Sequence, residues 1–205
     1  AGYLDSKTLL EIQHISKSFS QTKALREVSF NIMRGEVRGL VGENGSGKST
    51  LSNIIAGVYC QDSGKIILNG KELNVSSPIE AEEHGIALIV QEIGTIEGVS
   101  VASNIFLGSE KKFVSKGLVN YRKMNEEAKK ALNEIGIDNI NPALNVEKLN
   151  LEERKIIEIA KAYYIHPKLL IVDETANALS SHGRSILYSV IKSVKEYGGT
   201  VLFIT

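Results

Sequence analysis

The run GENGSGKST at residues 42–50 constrains this chain more than any other stretch. It follows a compact apolar segment, EVRGLVG (36–42). It leads into a helical pattern in which Leu51, Ile54 and Ile55 share a face and Gly57 supplies the stop. A strand passing through G-x-x-x-x-G-K-[ST] into a helix is the arrangement of a phosphate-binding loop. Gly42, Gly45 and Gly47 let the backbone curl until its N–H groups point at phosphate oxygens, so the candidate nucleotide-binding run also takes in Glu43, Asn44 and Ser46. Lys48 brings a point charge to the β- and γ-phosphates, and the helix start adds its dipole. The Ser49 hydroxyl is the candidate ligand for Mg²⁺, and Thr50 can reach the α-phosphate. These residues predict binding of a nucleoside triphosphate.

LLIVDE at 169–174 places four aliphatic residues before two carboxylates. A buried parallel strand would deliver Asp173 and Glu174 at its carboxyl end, where open α/β sheets hold their ligands. Asp173 is the candidate second metal ligand. Glu174 is the candidate base that orients and deprotonates an attacking water.

The rest of the chain frames that pair. LLEIQHISKSF and VSFNIM read as two short strands joined by the turn-like SQTKALR, and KIILNGKEL reads as a hairpin turning at Asn69-Gly70. GIALIV (85–90) is a further buried-type strand. NYRKMNEEAKKALNEIG carries Met124, Ala128, Ala131, Leu132 and Ile135 on one helical face, closed by Gly136. Helix LEERKIIEIAKAYYI, strand KLLIVDE, helix RSILYSVIKSVKEYGG and strand VLFIT complete the order. The fold class expected is α/β: a P-loop NTPase core with an antiparallel β subdomain and an inserted α-helical subdomain. Core residues would be 1–91 and 159–205, with the helical subdomain at 92–158. A last strand without a closing helix points to a truncated C-terminal end.

Lys plus Arg and Asp plus Glu both number 24 in the 205 residues, which argues against a nucleic-acid partner. No apolar run approaches the roughly 18 residues a membrane span needs. Cys60 is the single cysteine, which fits a reducing compartment and excludes an internal disulfide.

ISKSFSQTKALREVSF, GEVRGLVGENGSGKSTL, AGVYCQDSGKIILNGKEL, SNIFLG (103–108) and EIAKA together resemble the ATP-binding subunit of an ABC transporter. NIFLG and the NYRKMNEEA region narrow the resemblance to the first half of the tandem ATPases that power bacterial monosaccharide importers. That resemblance implies ATP and Mg²⁺ as cofactors. It implies a second nucleotide-binding domain in the same polypeptide, membrane permease subunits docking near 92–108, and indirectly a solute-binding protein. The place implied is the cytoplasmic side of the cell membrane. By the same resemblance Phe19 stacks on adenine, and Gln91 contacts Mg²⁺ and the attacking water, joining Lys48 and Glu174 as catalytic residues. The family's switch histidine would follow Thr205 directly; His14, His84, His166 and His182 read as structural or surface groups.

One stretch departs from the family pattern. Where the family carries an LSGGQ-type loop that contacts a γ-phosphate across the domain pair, this chain has LNLEE at 149–153. Leu151 and Glu152 replace the glycines, and two carboxylates would face the triphosphate. At about 4 Å and an effective dielectric near 20, like unit charges repel by roughly 4 kcal/mol. As a helix start the stretch is good, with Asn150 as N-cap and Glu152 and Glu153 in the first turn. The signature loop therefore reads as degenerate and one of two composite ATP sites as inactive. Thr175 and Ser180, in DETANALS, also depart from the family's usual residues. The leading function is an ATPase coupled to sugar import. The alternatives are a regulatory nucleotide-binding module and a soluble ABC-type factor with little hydrolysis.

Overall fold

The computed structural model describes residues 7–205, which divide into two compact units. The first runs to Leu88 and resumes over His166–Glu174 and Ser193–Thr205. Its opening strands, β1 (Thr8–Phe19) and β2 (Thr22–Met33), form an antiparallel ribbon in which Phe19 faces Thr22. TKALR, expected in a turn, belongs to β2, and only Ser20 and Gln21 make the connection. Pairing with β1 satisfies backbone groups that a seven-residue loop would leave to solvent. Register shifts beside His14 and Glu27, both at positive φ, absorb the mismatch as bulges.

The chain then makes β3 (Val37–Leu40), helix α1 (Lys48–Ile55), β4 (Ser63–Leu68), β5 (Lys71–Glu72), helix α2 (Pro78–Glu83) and β6 (Ile86–Ile89). Asn69 and Gly70 both take positive φ between β4 and β5, as a type I′ turn requires. Helix α2 is set by its cap: the Ser77 side chain accepts from Glu80 N–H, and Pro78 opens the first turn.

The second unit covers Ile89–Ile165 and Thr175–Lys192. It contains α3 (Val101–Ile105), the small ribbon β7 (Val114–Ser115) and β8 (Leu118–Val119), α4 (Tyr121–Glu134) and α5 (Leu151–Tyr164). All five residues expected on the inner face of α4 are buried: Met124, Ala128, Ala131, Leu132 and, just past its end, Ile135. Phe106 is fully buried, with its ring centroid 4.6 Å from that of Phe113 and 4.9 Å from that of Tyr164.

Strand β9 (Leu169–Asp173), helix α6 (Ser181–Glu196) and strand β10 (Thr200–Ile204) close the chain. Two four-stranded sheets result, ordered β2-β1-β4-β5 and β3-β10-β9-β6. Strand β10 pairs in parallel with both β3 and β9. Every residue of β9 is buried, which explains its unbroken aliphatic run. In the first unit, one core joins Leu10, Ile12 and Ile66 of the antiparallel sheet, Ile54 and Ile55 of α1, and Ile171 and Leu202 of the parallel sheet. Each such side chain contributes about 1.5–3 kcal/mol on burial. The loop between β3 and α1 therefore enters a helix anchored in that core, after a strand that reaches it through half-buried Leu40. No helix among the described residues is long and apolar enough to cross a membrane.

Candidate functional site

Between β3 and α1 the loop residues Gly45 and Gly47 take φ of +81° and +93°. A Cβ on Gly47 would lie 2.4 Å from the Ala24 carbonyl oxygen of β2, so the position admits no side chain. Gly47 stands at the start of α1, and no side chain caps that helix. The first N–H groups of α1 have no intrahelical acceptor, and with the dipole they make a cradle for an anion.

Lys48 is only 8% exposed and reaches back along the loop. Its Nζ donates to the Gly42 and Glu43 carbonyls at 2.7 and 3.0 Å and lies 3.9 Å from Glu174 Oε1. The loop thus holds a buried ammonium at its centre, where an anion would meet its charge with little solvent screening.

At the end of β9, Asp173 is 5% exposed. Ser49 Oγ donates to its Oδ1 at 3.2 Å, and Ser52 Oγ stands 3.0 Å from its Oδ2. Ser52 Oγ also lies 2.9 Å from the Ser49 carbonyl, so its single proton serves one acceptor at a time. Ser52, fully buried one helical turn beyond Ser49, was not legible as part of the site. Only its spacing of three residues from a ligand serine hinted at a shared face.

These oxygens suit a hard divalent cation. Among the described residues, no group of three or more His, Cys, Asp or Glu could hold a metal. A cation at Ser49 and Asp173 would therefore complete its shell with water and phosphate oxygens, the usual manner for Mg²⁺. The Gly47 cradle, the Lys48 ammonium and the Ser49–Asp173 pair together fit a magnesium-bound triphosphate.

Glu174 takes φ of +44°, rare for a side chain larger than glycine. Its N–H donates to the Ile204 carbonyl at 3.1 Å, so β10 fixes the backbone in this strained form. At this φ the strand pleat does not set the direction in which the side chain leaves the backbone.

Phe19 ends β1 and is 41% exposed. Thr22 faces it across the ribbon, two residues before the Ala24 carbonyl that abuts Gly47. At about 3.3 Å per residue along a strand and about 5 Å across, the aromatic stands roughly 10 Å from the loop. Three residues that the sequence did not reveal hold it there. Tyr59 meets its ring edge-on with centroids 5.3 Å apart, and Lys17 Nζ sits 5.5 Å from the ring centre. Asp62 accepts from Lys17 Nζ at 2.9 Å and from Ser18 N–H at 2.7 Å.

Gln91, exposed directly after β6, belongs to the second unit, whereas Lys48, Ser49, Asp173 and Glu174 come together within the first. The 92–108 segment also belongs to the second unit, and Ile96 and Val99 are exposed on it. At LNLEE, Asn150 and Glu153 form a reciprocal capping box. Asn150 Oδ1 accepts from Glu153 N–H at 2.9 Å, and Glu153 Oε2 accepts from Asn150 N–H at 2.8 Å. Glu152 Oε1 accepts from the Ser180 hydroxyl and, at 3.0 Å, from Gly183 N–H. Both carboxylates expected to face a triphosphate are bonded within the chain, one to its own helix start and one to the start of α6.

A family model described as ABC transporter matches residues 25–177. Among curated proteins, the chain is 39% identical over 197 residues to the ribose import ATP-binding protein RbsA of Geobacillus kaustophilus, covering 96% of this chain and 40% of that protein. It is 41% identical over 197 residues to the RbsA of Clostridium perfringens, covering 96% and 39% respectively. The chain thus spans about two fifths of the length of these relatives. Among solved structures, cbiO1 from Clostridium perfringens, part of the ABC transporter complex cbiONQ, superposes with a TM-score of 0.72 at 25% identity. That superposition covers 97% of this chain and 78% of cbiO1.

Proposed function

Since the chain belongs to the ABC transporter family, we propose that it is an ATP-binding and ATP-hydrolysing unit that energises import of a sugar. The observation that carries this reading is the Asp173 carboxylate, buried against Ser49 and Ser52 beside a buried loop lysine and Glu174. Such an assembly suits a phosphate and its metal. Sugar as the cargo follows from the names of the ribose import relatives.

In this reading Phe19 stacks on the base, and the loop N–H groups from Gly42 to Thr50 wrap the phosphates. Lys48 neutralises charge developing toward the γ-phosphate. Ser49 and Asp173 hold Mg²⁺, with Gln91 contributing from the segment after β6. Magnesium, when bound, would polarise the phosphate oxygens, and Glu174 accepts the proton of the attacking water. Residues 92–158 act as the helical subdomain, and 92–108 docks permease subunits that receive solute from a binding protein. The unit works at the cytoplasmic face of the membrane against a second nucleotide-binding domain in the same polypeptide.

LNLEE is a degenerate signature in this scheme. Leu151, 68% exposed, and Glu152 stand where close backbone approach to a γ-phosphate needs glycine. The site built on this chain's own Lys48, Asp173 and Glu174 then turns over, while the one served by LNLEE holds nucleotide without fast hydrolysis.

Two measurements test this. In the 205-residue chain, Lys48→Ala should abolish MgATP binding by isothermal titration; retained affinity would overturn the site. In the complete importer, Glu174→Gln should remove nearly all ATPase activity. Substantial remaining turnover would sink the claim that this site is the working one.

A further inference from the structure

The strongest bonding outside the phosphate site gathers around a lysine that no part of the proposed chemistry uses. Lys155, on the first turns of α5, is 3% exposed. Its ammonium has three donors, and all three are engaged. It donates to the Val90 carbonyl at 2.9 Å, to the Glu92 carbonyl, and to Glu158 Oε2 at 2.7 Å. Glu158, one turn further along the same face, accepts from Gly94 N–H at 2.6 Å through its other oxygen. Burial pushes the Glu158 carboxyl above the usual glutamate range, and the Lys155 bond opposes that push. The Thr175 hydroxyl, within 3.1 Å of the Val90 carbonyl, meets the same backbone from another side.

The two carbonyls bound by Lys155 flank Gln91. A side chain presented from a loop is only as well placed as the backbone on either side of it. Here one buried cation holds both peptide groups, and its own carboxylate partner holds the chain again two residues on. A lysine buried at this cost merely to fill space would be replaced well by an apolar side chain, since an ion pair in the interior is a poor way to add stability. Its geometry serves placement.

We infer that Lys155, with Glu158, is the positioning residue for Gln91. The pair fixes the backbone on both sides of that glutamine and ties the segment entering 92–108 to helix α5. This rests on the reading of Gln91 as a contact for the metal and attacking water. Lys155 touches neither nucleotide nor metal; it acts through the loop.

The test separates placement from stability. Lys155→Met and Lys155→Gln are each one atom shorter than lysine and match one another in reach; the first removes every donor, and the second keeps two N–H donors directed toward the same carbonyls. In the complete importer, Lys155→Met should lower kcat for ATP about ten-fold, the scale seen when a supporting contact is removed. Affinity for MgATP should stay unchanged, and Lys155→Gln should recover most of the loss. In the 205-residue chain, amide exchange over residues 90–96 should quicken in Lys155→Met and not in Lys155→Gln. Equal behaviour of the two variants, or a fall in ATP affinity that tracks kcat, would overturn the inference. Should Lys155→Met fail to fold, wild-type kcat in Lys155→Gln together with quickened exchange would overturn it, and slow exchange with near wild-type kcat supports it. Gln91→Ala isolates the underlying reading. If it leaves kcat intact, the role of Gln91 fails; if it lowers kcat while Lys155→Met does not, only the positioning role fails.

Discussion

At Asp62, the Lys17 ammonium and then the Ser18 N–H hold the carboxyl below the usual aspartate range. A carboxylate with a lowered pKa in the folded state stabilises that state while ionised. Its contribution is complete above the unfolded value, near pH 4, and is lost as pH falls through the folded value. Asp62→Asn should therefore lower the melting temperature at pH 7. The gap from wild type should close as pH drops below about 4, which a melting series across pH would read. The same substitution should weaken ATP binding modestly, because Asp62 steadies the ribbon end that carries Phe19. Phe19 itself was visible in the sequence only through a family resemblance. Lys17 and Asp62 were not visible as a pair, since 45 residues separate them and neither forms part of a motif. Ser52 escaped for a different reason: a serine inside an apolar helix face reads as packing until a carboxylate is seen to meet it.

Among the elements, α5 owes its start to two residues acting reciprocally. Asn150→Ala removes the acceptor for Glu153 N–H and leaves Glu153 without its return partner geometry, so the chain should lose about 1 kcal/mol of stability. Denaturant unfolding would measure this, and an unchanged midpoint would mean that tertiary packing, not the cap, fixes the helix end. This cap was legible because Asn150 is a favoured N-cap residue and two first-turn glutamates follow it, whereas the return bond from Glu153 came only with the structure. The inner face of α4 was legible for a different reason, with a 3.6-residue period sustained over four turns. Helices α2 and α3, of six and five residues, were not, because too few turns exist for a period to emerge. Their signal lay in Ser77 and Ser100, each accepting from an N–H three residues on. The start of β2 was misplaced for want of a partner: TKALR has turn-like composition, and only pairing with β1 makes it a strand.

On the scale of the whole molecule, the parallel sheet and its loop were readable because phosphate chemistry leaves little freedom in residue type or spacing. The bonding of Glu152 was not, since it depends on where α6 begins. The 205-residue chain should bind MgATP and hydrolyse it very slowly, because the proposed site needs a second domain to face its γ-phosphate. Phosphate release assayed on the purified chain would check this, and brisk turnover would refute that dependence. The Glu152 contact also ties the start of α5 to the start of α6. A glycine substituted at 152 would strip Ser180 and Gly183 of a shared acceptor at the start of α6. The two helix starts are therefore coupled, and a substitution at one is felt at the other.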